Sequence, residues 1–201
     1  AFAGEGTGGG LTVDGGTTGI VTFNSAVGSS NPLDFLDVTA QTVDFPSGFV
    51  NLLGDLSLTT DSLNLNGFYV TTPGNISLLA ENGITLSNGT LLQTLDFGFV
   101  TINADSEANE SGEFSLADSG SAIFTNDGDV SITAADVNLS GIINAVAGVV
   151  SLAPTAGRTI DLGATGGSGQ FVVTHAELDQ ISAGQIVIGD STTGAIMVNA
   201  L

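Results

Sequence analysis

Gly54-Asp-Leu-Ser-Leu-Thr-Thr-Asp-Ser-Leu-Asn-Leu-Asn-Gly67 and Gly128-Asp-Val-Ser-Ile-Thr-Ala-Ala-Asp-Val-Asn-Leu-Ser-Gly141 are one phrase written twice. Each opens on Gly, alternates apolar and polar residues, repeats the alternation in a shorter stretch (Leu63-Asn-Leu65, Val137-Asn-Leu139), and closes on Gly. Period-2 alternation places one set of side chains inside and Ser, Thr or Asn outside, which is the pattern of a short strand entered through a turn. The opening motif recurs at Gly19-Ile-Val-Thr-Phe23, Gly48-Phe-Val-Asn-Leu52, Gly74-Asn-Ile-Ser-Leu78, Gly98-Phe-Val-Thr-Ile102, Gly112-Glu-Phe-Ser-Leu116 and Gly148-Val-Val-Ser-Leu152. Gly54 to Gly74 is 20 residues, and so is Gly128 to Gly148. Two or three short strands per period of about 20 residues predict an all-β fold, a parallel β-helix (β-solenoid), with about ten coils in one domain over 1–201. An antiparallel β-sandwich is the alternative that short strands and turns also allow.

Stacking explains the composition. In stacked coils a charge on an outer face meets its own kind about every 4.8 Å, whereas Ser, Thr and Asn ladders hydrogen-bond. Only 11% of residues are charged. The pairs Asn66-Gly67, Asn82-Gly83 and Asn88-Gly89 supply left-handed backbone for tight corners. Gly74 to Gly128 spans 54 residues, two periods and 14 more, which predicts an acidic inserted loop region at 103–127. Residues 1–10 read as a Gly-rich connector.

The 201 residues carry 21 Asp+Glu against one Lys+Arg, Arg158, for a net charge of −20. Such a surface cannot neutralise phosphates, so neither nucleic acid nor anionic lipid is an expected partner. Mean hydropathy of +0.40 is too high for disorder by low hydrophobicity. Cys is absent, which excludes disulfides and thiolate metal sites. No apolar run is long enough to span a membrane, so no membrane insertion is expected, and no secretion signal is legible. Ala1-Phe2-Ala3 reads equally as the remnant of signal cleavage or as a cut within a longer protein.

The two quoted phrases resemble the repeats of filamentous haemagglutinin-type adhesins, large bacterial surface proteins often exported by two-partner secretion. Gly19-Ile-Val-Thr-Phe-Asn-Ser-Ala-Val-Gly28, Arg158-Thr-Ile-Asp-Leu-Gly163, Ala176-Glu-Leu-Asp-Gln-Ile-Ser-Ala-Gly184 and Ile188-Gly-Asp190 are similar to other coils of that family. The resemblance implies a right-handed parallel β-helix and an extracellular or cell-surface location. It implies no receptor. The expected function is that of a structural protein, a subunit or segment of a self-associating surface filament or adhesin shaft. A homo-oligomer joined head to tail is the expected partner. An adhesin module recognising a glycan or host protein through side loops is the alternative.

The C-terminal motifs break the polar-outside rule. Gly169-Gln-Phe-Val-Val173, Gly184-Gln-Ile-Val-Ile188 and Gly194-Ala-Ile-Met-Val198 carry Val172, Val187 and Met197 where Ser or Thr stood before. A strand apolar on both faces needs cover on both, from a nearby helix or loop or from another subunit. Val172, Val187, Ile196, Met197 and Val198 are therefore the candidate self-association residues. Thr174-His-Ala-Glu177 fits a capping box and predicts a short helix at 175–182, closed by Gly184.

Clustered carboxylates make Asp105, Glu107, Glu110, Asp127 and Asp129 the weak candidates for Ca²⁺, but their spacing matches neither an EF-hand nor calcium-binding β-rolls. A solvated acidic loop is the simpler reading, and no cofactor is expected. Catalysis is not expected either: the cation, His175 and Tyr69 are each alone of their kind, and Asp34/Asp37 and Asp127/Asp129 read as turn chemistry. Sequons begin at Asn75, Asn88, Asn109 and Asn138; Asn75 and Asn138 are expected in strands, facing out.

Overall fold

The computed structural model describes residues 9–46, 48–155, 157–163 and 171–199. It is nearly all β, and every strand pair is parallel. In chain order the strands are β1 (Leu11–Thr22), β2 (Leu36–Asp44), β3 (Phe49–Asn51), β4 (Leu56–Thr60), β5 (Leu63–Asn66), β6 (Tyr69–Thr72), β7 (Ile76–Ala80), β8 (Ile84–Ser87) and β9 (Leu91–Thr94). There follow β10 (Val100–Asn103), β11 (Glu113–Leu116), β12 (Ala122–Phe124), β13 (Val130–Ala134), β14 (Asp136–Leu139), β15 (Ile142–Asn144) and β16 (Val149–Pro154). The C-terminal part holds β17 (Ile160–Leu162), β18 (Phe171–Val173), helix α1 (His175–Leu178), β19 (Ile181–Ser182), β20 (Gln185–Ile188) and β21 (Ile196–Val198).

From β4 to β15 the chain repeats one circuit, visiting three sheets in turn and returning one strand further along. The first sheet runs β1-β2-β4-β7-β10-β13-β16-β20, the second β14-β11-β8-β5, the third β19-β15-β12-β9-β6-β3, and β18-β17-β21 form a fourth. The longest stack thus holds eight strands, fewer than the ten coils expected, because several circuits exceed 20 residues. Ile76, Val100 and Val130 are neighbours in one column, 24 and 30 residues apart.

From β2 onward register is kept residue by residue, whereas β1 slips against β2 on either side of Gly16. Leu11, Leu36, Leu56, Ile76, Val100, Val130, Val150 and Ile186 form one inward column of the first sheet. Val38, Leu58, Leu78, Ile102, Ile132 and Leu152 form the next, and Asp37, Ser57, Ser77, Thr101, Ser131 and Ser151 alternate with them on the outside. A one-residue slip would turn every column over, so burial fixes the register. The inward columns of the first three sheets meet in one continuous core, which includes the aromatic series Phe23, Phe45 and Phe68, with neighbouring ring centroids 4.8 Å apart.

Six of the glycines that open the phrases have a reason other than left-handed backbone. Gly54, Gly74, Gly98, Gly128, Gly148 and Gly184 stack at the corner between the third sheet and the first. A Cβ on Gly98, Gly128 or Gly148 would strike the carbonyl of the glycine one circuit before it. The Asn-Gly corners do need positive φ, at Gly67 (61°), Gly83 (114°) and Gly89 (78°). Thr72, Thr94 and Thr125 face inward beside the glycine corner and donate their hydroxyls to the carbonyls of Gly54, Gly98 and Gly128.

Three expectations change. The stretch 103–127 is not one loop: β11 and β12 lie inside it, with Phe114 between Ile84 and Val137 and Ile123 between Leu92 and Ile143. The extra residues fall mainly at 104–112. The helix stops at Leu178, because Ile181–Ser182 pairs with β15 as β19. Its capping box is present, its C-cap is Asp179, and Gly184 instead joins the glycine corner through a hydrogen bond to the Gly148 carbonyl. Asn75 precedes β7 rather than lying in it, and its Oδ1 accepts the Phe99 N–H, whereas Asn138 lies in β14 and faces out. Most of the Gly-rich connector, residues 1–8, lies outside the described residues.

Candidate functional site

The acidic segment is the first place where polar groups gather. Asp105 is buried and accepts the backbone N–H of Asn109 (3.1 Å) and Glu110 (2.9 Å) and the Thr155 hydroxyl (2.7 Å). Its carboxylate therefore organises the 104–112 loop and ties it to the end of β16. Arg158 approaches Glu110 twice, donating Nη1 to its carbonyl at 3.2 Å and facing its carboxylate at 3.7 Å. Glu107 is exposed.

Asp127 and Asp129 are occupied differently. Asp127 Oδ1 accepts the Ala147 N–H at 3.0 Å, and Asp129 Oδ1 accepts the Val149 N–H at 2.8 Å. Asp55 does the same for Asn75 at 2.7 Å. These side chains sit next to the glycine corner and reach across to the following circuit. They stitch successive circuits together. Four of the five calcium candidates are thus divided between two structural roles, and the fifth, Glu107, is exposed. Among the described residues no three His, Cys, Asp or Glu side chains converge as metal ligands would.

Two acids have perturbed ionisation. At Asp118 desolvation acts to raise the pKa. Hydrogen bonds from the Ser121 hydroxyl and the Asn88, Gly120 and Gly89 amides outweigh it and hold the carboxyl below the ordinary value. At Asp190 the Thr192 hydroxyl and amide, helped by those of Thr193, do the same against desolvation. Both acids close turns. His175 is exposed, and its Nε2 faces the Asp179 carboxylate at 3.6 Å.

No family model, curated protein or solved structure matches the chain. The site must therefore be read from its own surfaces, and two stand out.

One is the pair of stack edges. At the first, β1 pairs only with β2, and a cavity of about 490 Å³ opens between Leu11, Val13, Val21, Phe23, Val27 and Leu33. At the other, β20 and β21 are edge strands, with Ile186, Ile196, Met197 and Val198 exposed and Val187 half-buried. Val172 is different. It lies in β18, is buried, and donates its N–H to Asp136 Oδ1 at 2.9 Å. Its second apolar face is covered within the chain, so it drops out of the interface candidates.

The second surface escaped the sequence reading. The third strand of each circuit is short and apolar on both sides, as in Phe49-Val50, Leu91-Leu92 and Ile142-Ile143. Val50, Val70, Leu92, Ile123 and Ile143 face the core, and Phe49, Tyr69, Leu91, Ala122 and Ile142 form the outward column. Doubled apolar residues five to seven positions before the next glycine were the available signal.

Proposed function

We propose that this chain is a structural element, a right-handed parallel β-helix that builds the shaft of an extracellular filament or adhesin. The observation that carries this is the continuous parallel pairing of eight strands in the first sheet. The circuit through three sheets, the corner glycines and the neutral outer ladders are what a solenoid requires. Handedness and location rest on the resemblance to haemagglutinin-type repeats.

In this reading the shaft continues by adding strands at its edges. Parallel edge strands present unpaired backbone groups and invite another strand. The apolar cavity beside β1 and the exposed Ile186, Ile196 and Met197 are chemically alike and carry no charge of their own. A second copy set head to tail would cover both, and a repeated heterologous contact of this kind grows a fibre. The alternative of a binding module in the side loops has less support, because the Asp105 carboxylate and Arg158 are engaged in holding the 104–112 loop to the shaft.

Electron microscopy and fibre diffraction of the purified chain test the proposal. Filaments with a meridional repeat near 4.8 Å are expected. Uniform particles of monomer mass at every concentration would sink it. Met197→Glu, which puts a carboxylate on the exposed β21 edge, is expected to shorten or abolish the filaments.

A further inference from the structure

The outer face of the third sheet carries no charged residue from β3 to β15, and unlike the neutral outer face of the first sheet it is rich in exposed apolar side chains. Its strands and the residues that close them, 49–53, 69–73, 91–95, 122–126 and 142–146, alternate between inward and outward side chains, and not one of these 25 positions is Asp, Glu, Lys, Arg or His. The first sheet carries Asp37 on its outside, and the second carries Glu113 and Asp136. The face has three outward columns. The outer two are largely apolar, with Phe49, Tyr69 and Ile142 in one and Leu53, Leu95 and Val146 in the other, each between 38% and 55% exposed. The middle column is mostly amide and hydroxyl: Asn51, Thr71, Gln93 and Asn144. Phe49 and Tyr69 stack on each other along the column, with centroids 5.8 Å apart, so their edges rather than their faces point outward. That arrangement suits packing against side chains better than stacking on sugar rings.

We infer that this face is a lateral interface between two copies of the chain. The charge selects the occupant. Two bodies of net charge −20 repel on most approaches, and here they meet without bringing carboxylates together. A second copy offers the same spacing between strands, so side chains of one column fit between those of the other. The apolar–polar–apolar order is also symmetric. A two-fold axis along the strands or along the stack lays apolar column on apolar column and amide on amide, as an isologous contact requires. Five strands at about 4.8 Å and five residues at about 3.3 Å give a footprint of about 400 Å² per copy. That is about half the per-partner area of a standard stable interface, so single pairs are weak. Filaments add such contacts along their length and pair firmly. The paired shaft goes beyond end-to-end growth and does not depend on it.

Sedimentation velocity over a wide dilution range tests the inference in a Met197→Glu background, where end contacts are blocked. The expected result is a reversible monomer–dimer equilibrium that strengthens with salt. Adding Leu95→Glu and Ile142→Glu is expected to leave only monomer. Adding Ser131→Glu, on the outside of the first sheet, is expected to leave the dimer intact. Circular dichroism checks that each variant folds, and Tyr69→Ser replaces any that does not. A background protein that stays monomeric at high concentration and high salt overturns the inference. So does a dimer that persists in the Leu95→Glu/Ile142→Glu variant. If no wild-type filaments form but the dimer is lost on substituting this face, end-to-end growth fails and the lateral interface stands.

Discussion

At Gly128 one methyl group separates a stacked corner from a blocked one. The Cβ of alanine would press on the carbonyl of Gly98, which the adjacent strands hold in place. Gly128→Ala is therefore expected to lower stability by about 1–3 kcal/mol, the usual cost of overpacking. Gly9→Ala, where nothing lies within 4 Å of the added atom, is expected to leave the urea midpoint unchanged. The recurring glycine was plain in the sequence, but its reason was not. A positive φ is the usual cause, and close approach of two backbones becomes visible only when the circuits are stacked. Asp118 yields a second prediction. Its folded pKa lies below the ordinary value, so its contribution is complete above the unfolded pKa of about 3.9 and disappears as pH falls through the folded value. Asp118→Asn is expected to flatten the acid limb of the stability–pH curve at and below that range while leaving the slope near neutrality unchanged. An unaltered acid limb would mean that the hydrogen bonds from Ser121 and Asn88 do not couple to folding.

Among the strands, the inward and outward columns differ in what a substitution costs. Ile132 is fully buried between Ile102 and Leu152, so Ile132→Ala removes packing on both sides and is expected to cost about 2–5 kcal/mol. Ser131→Ala, one residue away and facing out, is expected to stay within about 0.5 kcal/mol. Equal effects on the urea midpoint would contradict the assigned register. The first two strands of each circuit were legible because polar residues alternate with apolar ones in them. The third was legible only at Gly48-Phe-Val-Asn-Leu52, because Leu91-Leu92 and Ile142-Ile143 are apolar on both faces and lie in strands three or four residues long. The helix at Thr174 was found through its capping box, but its end was misplaced, since pairing of Ile181 with Ile143 outcompetes further helical turns. The 104–112 loop was visible as an acidic cluster, whereas its anchor was hidden. Thr155 is 50 residues from Asp105 and carries no motif. Thr155→Val is expected to speed hydrogen exchange at Asn109 and Glu110, which Asp105 holds, without altering exchange in β10 or β13.

For the molecule as a whole, the same imbalance that excluded nucleic acid predicts an unusual response to salt. Among the described residues the acids have one Arg–carboxylate pair, Arg158 with Glu110, so there is little attraction for salt to screen. Repulsion among the remaining carboxylates dominates the electrostatics. Raising the ionic strength from about 0.01 M to about 1 M shortens the Debye length from about 30 Å to about 3 Å. Carboxylates on successive circuits then cease to feel one another beyond nearest neighbours. The folded stack gains more than the unfolded chain, in which the same charges lie further apart, so the thermal midpoint is expected to rise with salt. Both proposed contacts should strengthen in parallel, because each joins uncharged surfaces on like-charged bodies. A scaffold held by ion-pair networks would show the opposite trend in both measurements. Calorimetry at the two salt levels, read beside sedimentation of the same samples, separates these cases. A midpoint that falls as salt rises would require attractive charge pairs, and it would remove the electrostatic argument for the uncharged face as the meeting surface.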